Sequence, residues 1–553
     1  MTDTTVVAED KTVVVVKDTA TRARSGKTDR SGFVINPDPQ GGESTVNFTS
    51  ESLIQHVRDC TNLDGMYDRK PQQPMSSLFD ELGSMQEYLS NNPKNAQLSK
   101  LIAAVQAEYR TELDRVSVMS SQGVINFAGL RLLLKPGTAV VISGDQPQGA
   151  TIVSTEYRHT FFGSYLEVTY EYVTSNGTGF YTQRDEIRID GWRGTRTISS
   201  MELMPITEDV RAELALRGQA YVKLAVGAHY KQNQGSMSVR KWYYWTPMRA
   251  SGRIMVDTAT HNQFQSVSGR DRQQVQQRVD DAQLWMTDAH VYGFSFVTKQ
   301  WGRFAVTSVS DIEFRKNAYD QLVMEPAKKN MIRALVEDNS SGFSDIISGK
   351  GGGCIFLLHG DPGVGKTLTA EAVSELLERP LYSVSVGELG VTAEALENSL
   401  RRILDVAQIW NAVILIDEAD IFLEKRGTGD VVRNSLCSVF LRLLEYHQGV
   451  MFLTTNRVRE FDSAYHRRIS VALKYGALDS HAREKVWINL LTAAGITGLN
   501  TAALCKVKIN GRQIKNTLRL AQGLARQEGV PVTVDHIQTC LDVSAQFVRD
   551  LAE

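Results

Sequence analysis

The stretch from Cys354 to Thr367, CIFLLHGDPGVGKT, restricts what this chain can fold into more than any other. A short apolar run, Cys354 to Leu358, has the length and composition of a buried parallel strand, and it breaks into a glycine-rich turn with the spacing G-x-x-x-x-G-K-T. Glycines at 360, 363 and 365 let the segment Gly360-Asp361-Pro362-Gly363-Val364-Gly365 curl until its N–H groups converge on one point. Lys366 can then reach terminal phosphates, and Thr367 can hold Mg²⁺. Leu368 opens a run, continuing to Leu377, whose apolar residues are spaced for a helix with its N-terminus aimed at those phosphates. Such a loop binds a nucleoside triphosphate. A bare glycine turn closing a strand is the alternative, and both the strand before it and the helix after it weigh against that.

At 553 residues the chain is too long for one compact core, so two or three domains are expected. Its 61 Lys and Arg nearly balance 63 Asp and Glu, for a net charge of −2, which gives no global electrostatic reason to expect nucleic acid or an anionic membrane as partner. The five cysteines are scattered and odd in number, which fits reduced thiols used as small core residues. No apolar run approaches bilayer length and no basic-then-apolar leader opens the sequence, so a soluble, cytoplasmic protein is expected. An acidic start (Asp3, Glu9, Asp10) opposes a mitochondrial presequence, while Arg22, Arg24 and Lys27 leave that question, and a nuclear location, open.

Residues 1–72 are rich in Thr, Ser, Asp and Gly around the single run Val13 to Val16, and are expected as a mobile tail. Residues 73–121 show helical spacing, as in Leu98, Leu101, Ile102, Val105 and Tyr109. Over 122–300 the period becomes two. Leu166, Val168, Tyr170 and Tyr172 face one way and Glu167, Thr169 and Glu171 the other, before Asn176-Gly177 supplies a hairpin turn, so a β-rich domain is expected. Within it, Lys241-Trp242-Tyr243-Tyr244-Trp245 reads either as a strand with rings on both faces or as a surface for a peptide or nucleobase. Gln263 to Asp281 reads as a polar helix or long loop. Residues 301–476 turn α/β: a helix from Ala327 to Val336, the phosphate-loop strand, and strand-like runs at Leu381 to Val386, Val413 to Ile416, Val450 to Thr454 and Ile469 to Leu473. A helix over Ala395 to Ala407 lies between them. Residues 477–553 are almost wholly helical. The expected fold is multi-domain, with a β-rich N-terminal domain, an α/β P-loop domain with a parallel sheet, and a small α-helical domain.

Val413-Ile414-Leu415-Ile416 delivers Asp417 and Glu418 to the carboxyl end of a strand. There Asp417 could orient Mg²⁺ and Glu418 could polarise an attacking water. Asn456, at the end of the next strand, can hydrogen-bond a γ-phosphate and that water; alternatively it is a turn residue. Arg467 and Arg468 follow. Together these residues resemble the AAA+ ATPases of the AAA clade, over about 310–545. In that resemblance Gly360 to Thr367 is the Walker A loop, Asp417-Glu418 is Walker B, and Asn456 is sensor 1. The segment Phe461 to Arg468 is similar to the clade's second region of homology, whose arginines act as fingers on a neighbouring subunit's ATP. LLHGDPGVGKTLTAEAVSE, NAVILIDEADIFLEKR and FLTTNRVREFDSAYHRRI look most like a fungal-type group of AAA proteins with an N-terminal β-rich domain. The resemblance implies a five-stranded parallel sheet with a helical lid, ATP and Mg²⁺ as cofactors, and a homo-oligomer, usually a hexameric ring, acting on a protein client.

Two departures from the clade stand out. Where many AAA unfoldases carry an aromatic pore loop, this chain has Gly387-Glu388-Leu389-Gly390-Val391-Thr392-Ala393, closer to the loop of a mitochondrial AAA translocase that moves a folded protein. Where the clade commonly has Gly-Ala, this chain has Asn510-Gly511-Arg512, and Arg512 reads either as a sensor 2 arginine on the γ-phosphate or as a surface helix arginine. Asp417-Glu418-Ala419-Asp420 spells the signature of an RNA helicase class, but that class needs a second RecA-like domain and a Ser-Ala-Thr element, and neither is found. A guanine-reading Asn-Lys-x-Asp is absent too. A scaffold that binds nucleotide without turnover is opposed by the intact Glu418, Asn456 and arginine pair.

Overall fold

The structure, a computed structural model, describes residues 31–37, 44–61, 63–160, 163–242, 244–265, 275–338, 353–424, 430–457 and 463–550. The chain divides into two compact units, one of residues 1–140 with 151–170 and 185–205, the other of 141–150 with 171–184 and 206–553.

In the first unit the expected mobile tail is corrected from residue 31 onward. Strands Phe33–Asn36, Thr45–Phe48 and Gln72–Pro74 form an antiparallel three-stranded sheet. With helix Glu51–Cys60 they bury Phe33, Val46, Phe48, Leu53 and Val57 against Leu78, Met85, Leu98, Leu101, Ile102 and Val105 of the helices that follow. Apolar residues are sparse in this segment, and their burial partners lie on later helices, so local composition understated its order. The Val13 to Val16 run and Arg22, Arg24 and Lys27 lie outside the described residues. Helix Ala96–Ser121 begins where the Asn95 side chain accepts from the Leu98 N–H at 3.1 Å.

The β-rich region has two large sheets and, among the described residues, a two-stranded one pairing Val124–Asn126 with Thr195–Thr197. The first large sheet sets Leu203–Pro205, Ala139–Ile142, Gln148–Thr160, Gly163–Ser175 and Phe180–Asp190 side by side in that order. The Asn176-Gly177 turn forms as expected, the Asn176 side chain accepting from the N–H groups of Thr178 and Gly179 while Gly177 takes φ +96°. The second sheet has seven strands, in the order Tyr244–Arg249, Ser236–Lys241, Gln300–Ala305, His290–Ser295, Gly252–Val256, His229–Asn233 and Val309–Ser310. Strands therefore continue past residue 300. Between the sheets in sequence runs helix Glu208–Leu224, which the period-two reading did not foresee. It packs so closely that a Cβ on Gly218 would lie 2.0 Å from the Leu284 carbonyl oxygen. Lys241 to Trp245 is not one strand: Lys241 ends one, Tyr244 begins the next, and Trp242 at φ +56° makes the turn without the usual glycine or asparagine. Tyr243 lies outside the described residues.

The α/β domain, in the second unit with the seven-stranded sheet, has five parallel strands in the order Leu381–Ser385, Val413–Asp417, Val450–Thr455, Cys354–Gly360 and Val471–Tyr475. Near-continuous burial of Val413 to Ile416 and Val450 to Thr455 is what a parallel sheet covered on both faces demands. The last strand starts at Val471, not Ile469. Helix Ala393–Ile409 buries Leu396, Leu400, Val406 and Ala407, one face of the amphipathic pattern. Helices Ser480–Ala493, Gly511–Glu528 and Val534–Asp550 enclose a separate small core of Trp487, Leu491, Leu504, Ile514, Leu518 and Ile537.

The middle strands of the seven-stranded sheet are built into the α/β domain. Phe294 stacks on Tyr382 with centroids 5.4 Å apart, and Phe296 and Trp301 pack on Trp410. The Trp410 indole donates to the Asp257 carboxylate at 2.8 Å, and Arg253 pairs with Glu375 of the phosphate-loop helix at 2.9 Å.

Candidate active site

The phosphate loop joins strand Cys354–Gly360 to helix Lys366–Leu377. Its three glycines all have positive φ, at +146°, +78° and +105° for Gly360, Gly363 and Gly365. Side chains would not fit at two of them: a Cβ on Gly360 would come 2.1 Å from the Tyr475 carbonyl oxygen, and one on Gly363 would come 2.8 Å from the Asn510 side chain. The Gly365 side is open, with nothing within 4 Å of where a Cβ would sit. Asp361, Pro362 and Leu368 are exposed around the loop, while Val364 is buried beneath it. These features fit a triphosphate held by backbone N–H groups at a helix N-terminus.

Lys366 is buried and fully engaged. Its ammonium donates to the carbonyls of Gly360 and Asp361 at 2.7 and 2.8 Å and to the Asn456 side-chain oxygen at 2.7 Å. Burial lowers its proton affinity below the ordinary lysine value; Asp417, Asp361 and Asp420 oppose that shift and the Arg512 charge adds to it. Thr367 donates to the Asp417 carboxylate at 3.3 Å, so the hydroxyl and the carboxylate that would share Mg²⁺ already face each other.

Glu418 sits in the left-handed region at φ +56°, a strained conformation for a residue with a Cβ, and its side chain is exposed toward solvent. Thr454 holds that turn. Its hydroxyl donates to the Asp417 carboxylate and accepts from the Glu418 N–H at 3.0 Å, while the Ala419 N–H donates to the Thr454 carbonyl at 2.9 Å. Next along the strand, the Thr455 hydroxyl donates to Asp420, and the Asn456 N–H donates to the same carboxylate oxygen at 3.2 Å. Sequence reading found Asp417, Glu418 and Asn456 but not Thr454, Thr455 or Asp420. The signal was the Thr-Thr pair just before Asn456 and the third acidic position of Asp-Glu-Ala-Asp.

The lid reaches the same loop. Asn510 caps helix Gly511–Glu528 through a reciprocal bond pair with Gln513, and its amide donates to the Pro362 carbonyl at 3.3 Å. Arg512, exposed on the first turn of that helix, is near enough for its charge to bear on Lys366. The structure thus brings Lys366, Thr367, Asp417, Glu418 and Asn456 together at the carboxyl ends of three adjacent strands.

Arg467 and Arg468 are placed differently. Arg467 ends the short turn Ser463–Arg467 and Arg468 follows it, and neither side chain hydrogen-bonds the phosphate loop among the described residues. Arg468 is half-buried, donating to the Ala464 carbonyl at 3.0 Å and pairing with Glu445 at 2.6 Å. Arg467 is exposed and makes no side-chain bond among the described residues. Phe461 and Asp462 lie outside them.

Residues 356–476 match the family described as ATPase family associated with various cellular activities (AAA). Those residues form an AAA domain. Residues 115–209 match a domain of unknown function, DUF7025. Human ATPase family AAA domain-containing protein 3B is 25% identical over 184 residues, 31% of this chain and 28% of that protein. Spastin of Drosophila persimilis is 26% identical over 253 residues, 43% of this chain and 30% of spastin. Human fidgetin-like protein 1 is 28% identical over 198 residues, 33% of this chain and 27% of the relative. The chain thus spans less than a third of the length of each of these relatives. No helix among the described residues is long and apolar enough to cross a membrane.

Proposed function

We propose that this chain is an Mg²⁺-dependent ATP hydrolase that works as a ring, of six subunits as in the AAA clade, and remodels a protein client engaged by its N-terminal β-rich region. The observation that carries hydrolysis, beyond binding, is the Thr454 hydroxyl between Asp417 and Glu418. It holds Glu418 in a strained backbone conformation at a strand end shared with the phosphate loop.

In the proposed site the loop N–H groups and Lys366 hold the β- and γ-phosphates. Thr367 and Asp417 are the residues that would hold Mg²⁺, which would neutralise phosphate charge. Glu418 accepts the proton of the attacking water, Asn456 orients that water and the γ-phosphate, and Arg512 supplies positive charge from the lid. Beyond Lys366 and Arg512, the charge that develops on the transferred group takes a further cation from a neighbouring subunit. Arg467 and Arg468 belong to a neighbour's site in this reading, and the lack of a hydrogen bond from either to its own phosphate loop among the described residues supports it.

The seven-stranded sheet supports action on a client by leverage rather than by threading. Residues 387–393 include no aromatic residue, and Glu388, in the short helix Val386–Leu389, pairs with Lys299 of the turn between strands His290–Ser295 and Gln300–Ala305, so the segment that grips a chain in unfoldases is here tied to the β region. The motif resemblance to fungal-type AAA proteins with an N-terminal β-rich domain forms part of this proposal. The test is Glu418→Gln: it should bind ATP as tightly as wild type, lose turnover, and retain client, whereas wild-type turnover in the variant would remove the hydrolytic assignment.

A further inference from the structure

Asp420 is the one acidic residue of Asp-Glu-Ala-Asp that the proposed chemistry does not use, yet it is the most directly joined to Asn456. One oxygen of its carboxylate accepts from both the Thr455 hydroxyl and the Asn456 N–H. The same Thr455 hydroxyl accepts from the Arg457 N–H at 3.0 Å, which closes the turn after the strand. On its other side, Asn456 takes the Lys366 ammonium on its side-chain oxygen. Asn456 is therefore held at two points, its backbone by Asp420 and its side chain by Lys366. Asp420 opens the short helix Asp420–Leu423, whose Phe422 and Leu423 are buried, so the carboxylate is fixed from beneath by packing.

We infer that Asp420 is a positioning residue for hydrolysis, locking the end of the sensor strand so that the Asn456 amide meets the γ-phosphate and the attacking water. The inference rests on the hydrolytic reading above. It does not place Asp420 on substrate or metal. Because both bonds land on one oxygen, an amide oxygen in the same place can accept them, and negative charge is not required. That separates positioning from an electrostatic role.

Three measurements test it. In nucleotide-free protein, amide hydrogen exchange of the peptide covering 450–457 should quicken in Asp420→Ala and stay near wild type in Asp420→Asn. In steady-state ATP turnover, Asp420→Ala should lower kcat about tenfold or more with KM for ATP within about twofold, and Asp420→Asn should recover most of that loss. In an Asn456→Ala background, adding Asp420→Ala should change kcat by less than about twofold, because the residue it positions is gone. Thr455→Val removes the neighbouring half of the link and should shift exchange and kcat in the same direction, which keeps the inference testable if Asp420→Ala folds poorly. Unchanged exchange in Asp420→Ala overturns the inference, as does an equal loss of kcat in both backgrounds, or an Asp420→Asn variant as impaired as Asp420→Ala. Wild-type hydrolysis by Asn456→Ala alone would instead defeat the role given to Asn456, and the exchange measurement would still decide whether Asp420 fixes it.

Discussion

The Lys366 ammonium donates to the Asn456 side-chain oxygen at 2.7 Å, so the cation of the phosphate loop and the amide of the sensor strand are bonded to each other across two strands. A triphosphate entering this site must compete with Asn456 for Lys366. Asn456→Ala is therefore expected to bind ATP at least as tightly as wild type while its kcat falls about 10²-fold, the usual loss when one donor to developing charge is removed. Calorimetric titration and steady-state turnover on the same protein check both halves. Lys366→Ala should fail already at binding, since Lys366 meets the phosphates in the ground state.

Gly363→Ala should weaken ATP binding without unfolding the chain. The new methyl would meet the Asn510 side chain at 2.8 Å at a backbone φ of +78°, pushing the lid helix off the loop it latches. Asn510→Ala removes the same latch from the other side and costs about 1 kcal/mol of helix capping, seen as a lower melting temperature.

The aromatic seam predicts a stability effect far from the chemistry. Trp410 is 5% exposed, packs on Phe294, Phe296 and Trp301, and donates its indole proton to Asp257. Trp410→Ala should cost about 3–5 kcal/mol. Trp410→Phe keeps a ring in the seam but removes the indole donor, leaving the Asp257 carboxylate its two bonds from Thr260, and should cost about 1–3 kcal/mol. Differential scanning calorimetry would rank the two.

Much of this was legible in sequence where the chemistry is local. Gly360 to Thr367 and Val413 to Glu418 each carry their function within one strand and its turn, and the structure places them where spacing said. Asn456 was legible for the same reason. Thr454 and Asp420 were not, because a threonine in a buried strand and a third acid in a row have meaning only once two strands lie side by side. The order from residue 31 to the first helix was missed on the same ground: Phe33 and Val46 find their partners on helices some fifty residues later. Local pattern also misplaced the start of the last strand by two residues, reading Ile469 as strand when it packs instead against the core from the turn before Val471. Of the two candidate fingers, the structure gives Arg468 a partner in Glu445 and leaves Arg467 exposed.

His447 gives the fold an acid sensitivity of predictable sign. It is 4% exposed, and burial pushes its imidazole down to about 4. Between that value and the ordinary 6.5 the unfolded chain binds a proton that the folded chain does not, so stability rises with pH across this window and is lost as pH falls through it. The loss by pH 4 is about 3 kcal/mol from this group. Thermal midpoints between pH 4.5 and 7 should decline less steeply for His447→Gln than for wild type, and an identical decline would remove His447 as the cause.

Complementation between two inactive proteins tests most directly whether the site is completed by a neighbouring subunit. Lys366→Ala has good arginines and a dead nucleotide site; Arg467→Ala/Arg468→Ala has a good nucleotide site and no finger, which in phosphoryl transfer is worth about 10³–10⁵ in rate. Each should be inactive alone, and ATP turnover should partly return when they are mixed in one assembly, with the single arginine variants showing which cation carries it. Mixtures that stay inactive, or a double arginine variant that turns over at the wild-type rate, would contradict hydrolysis between subunits.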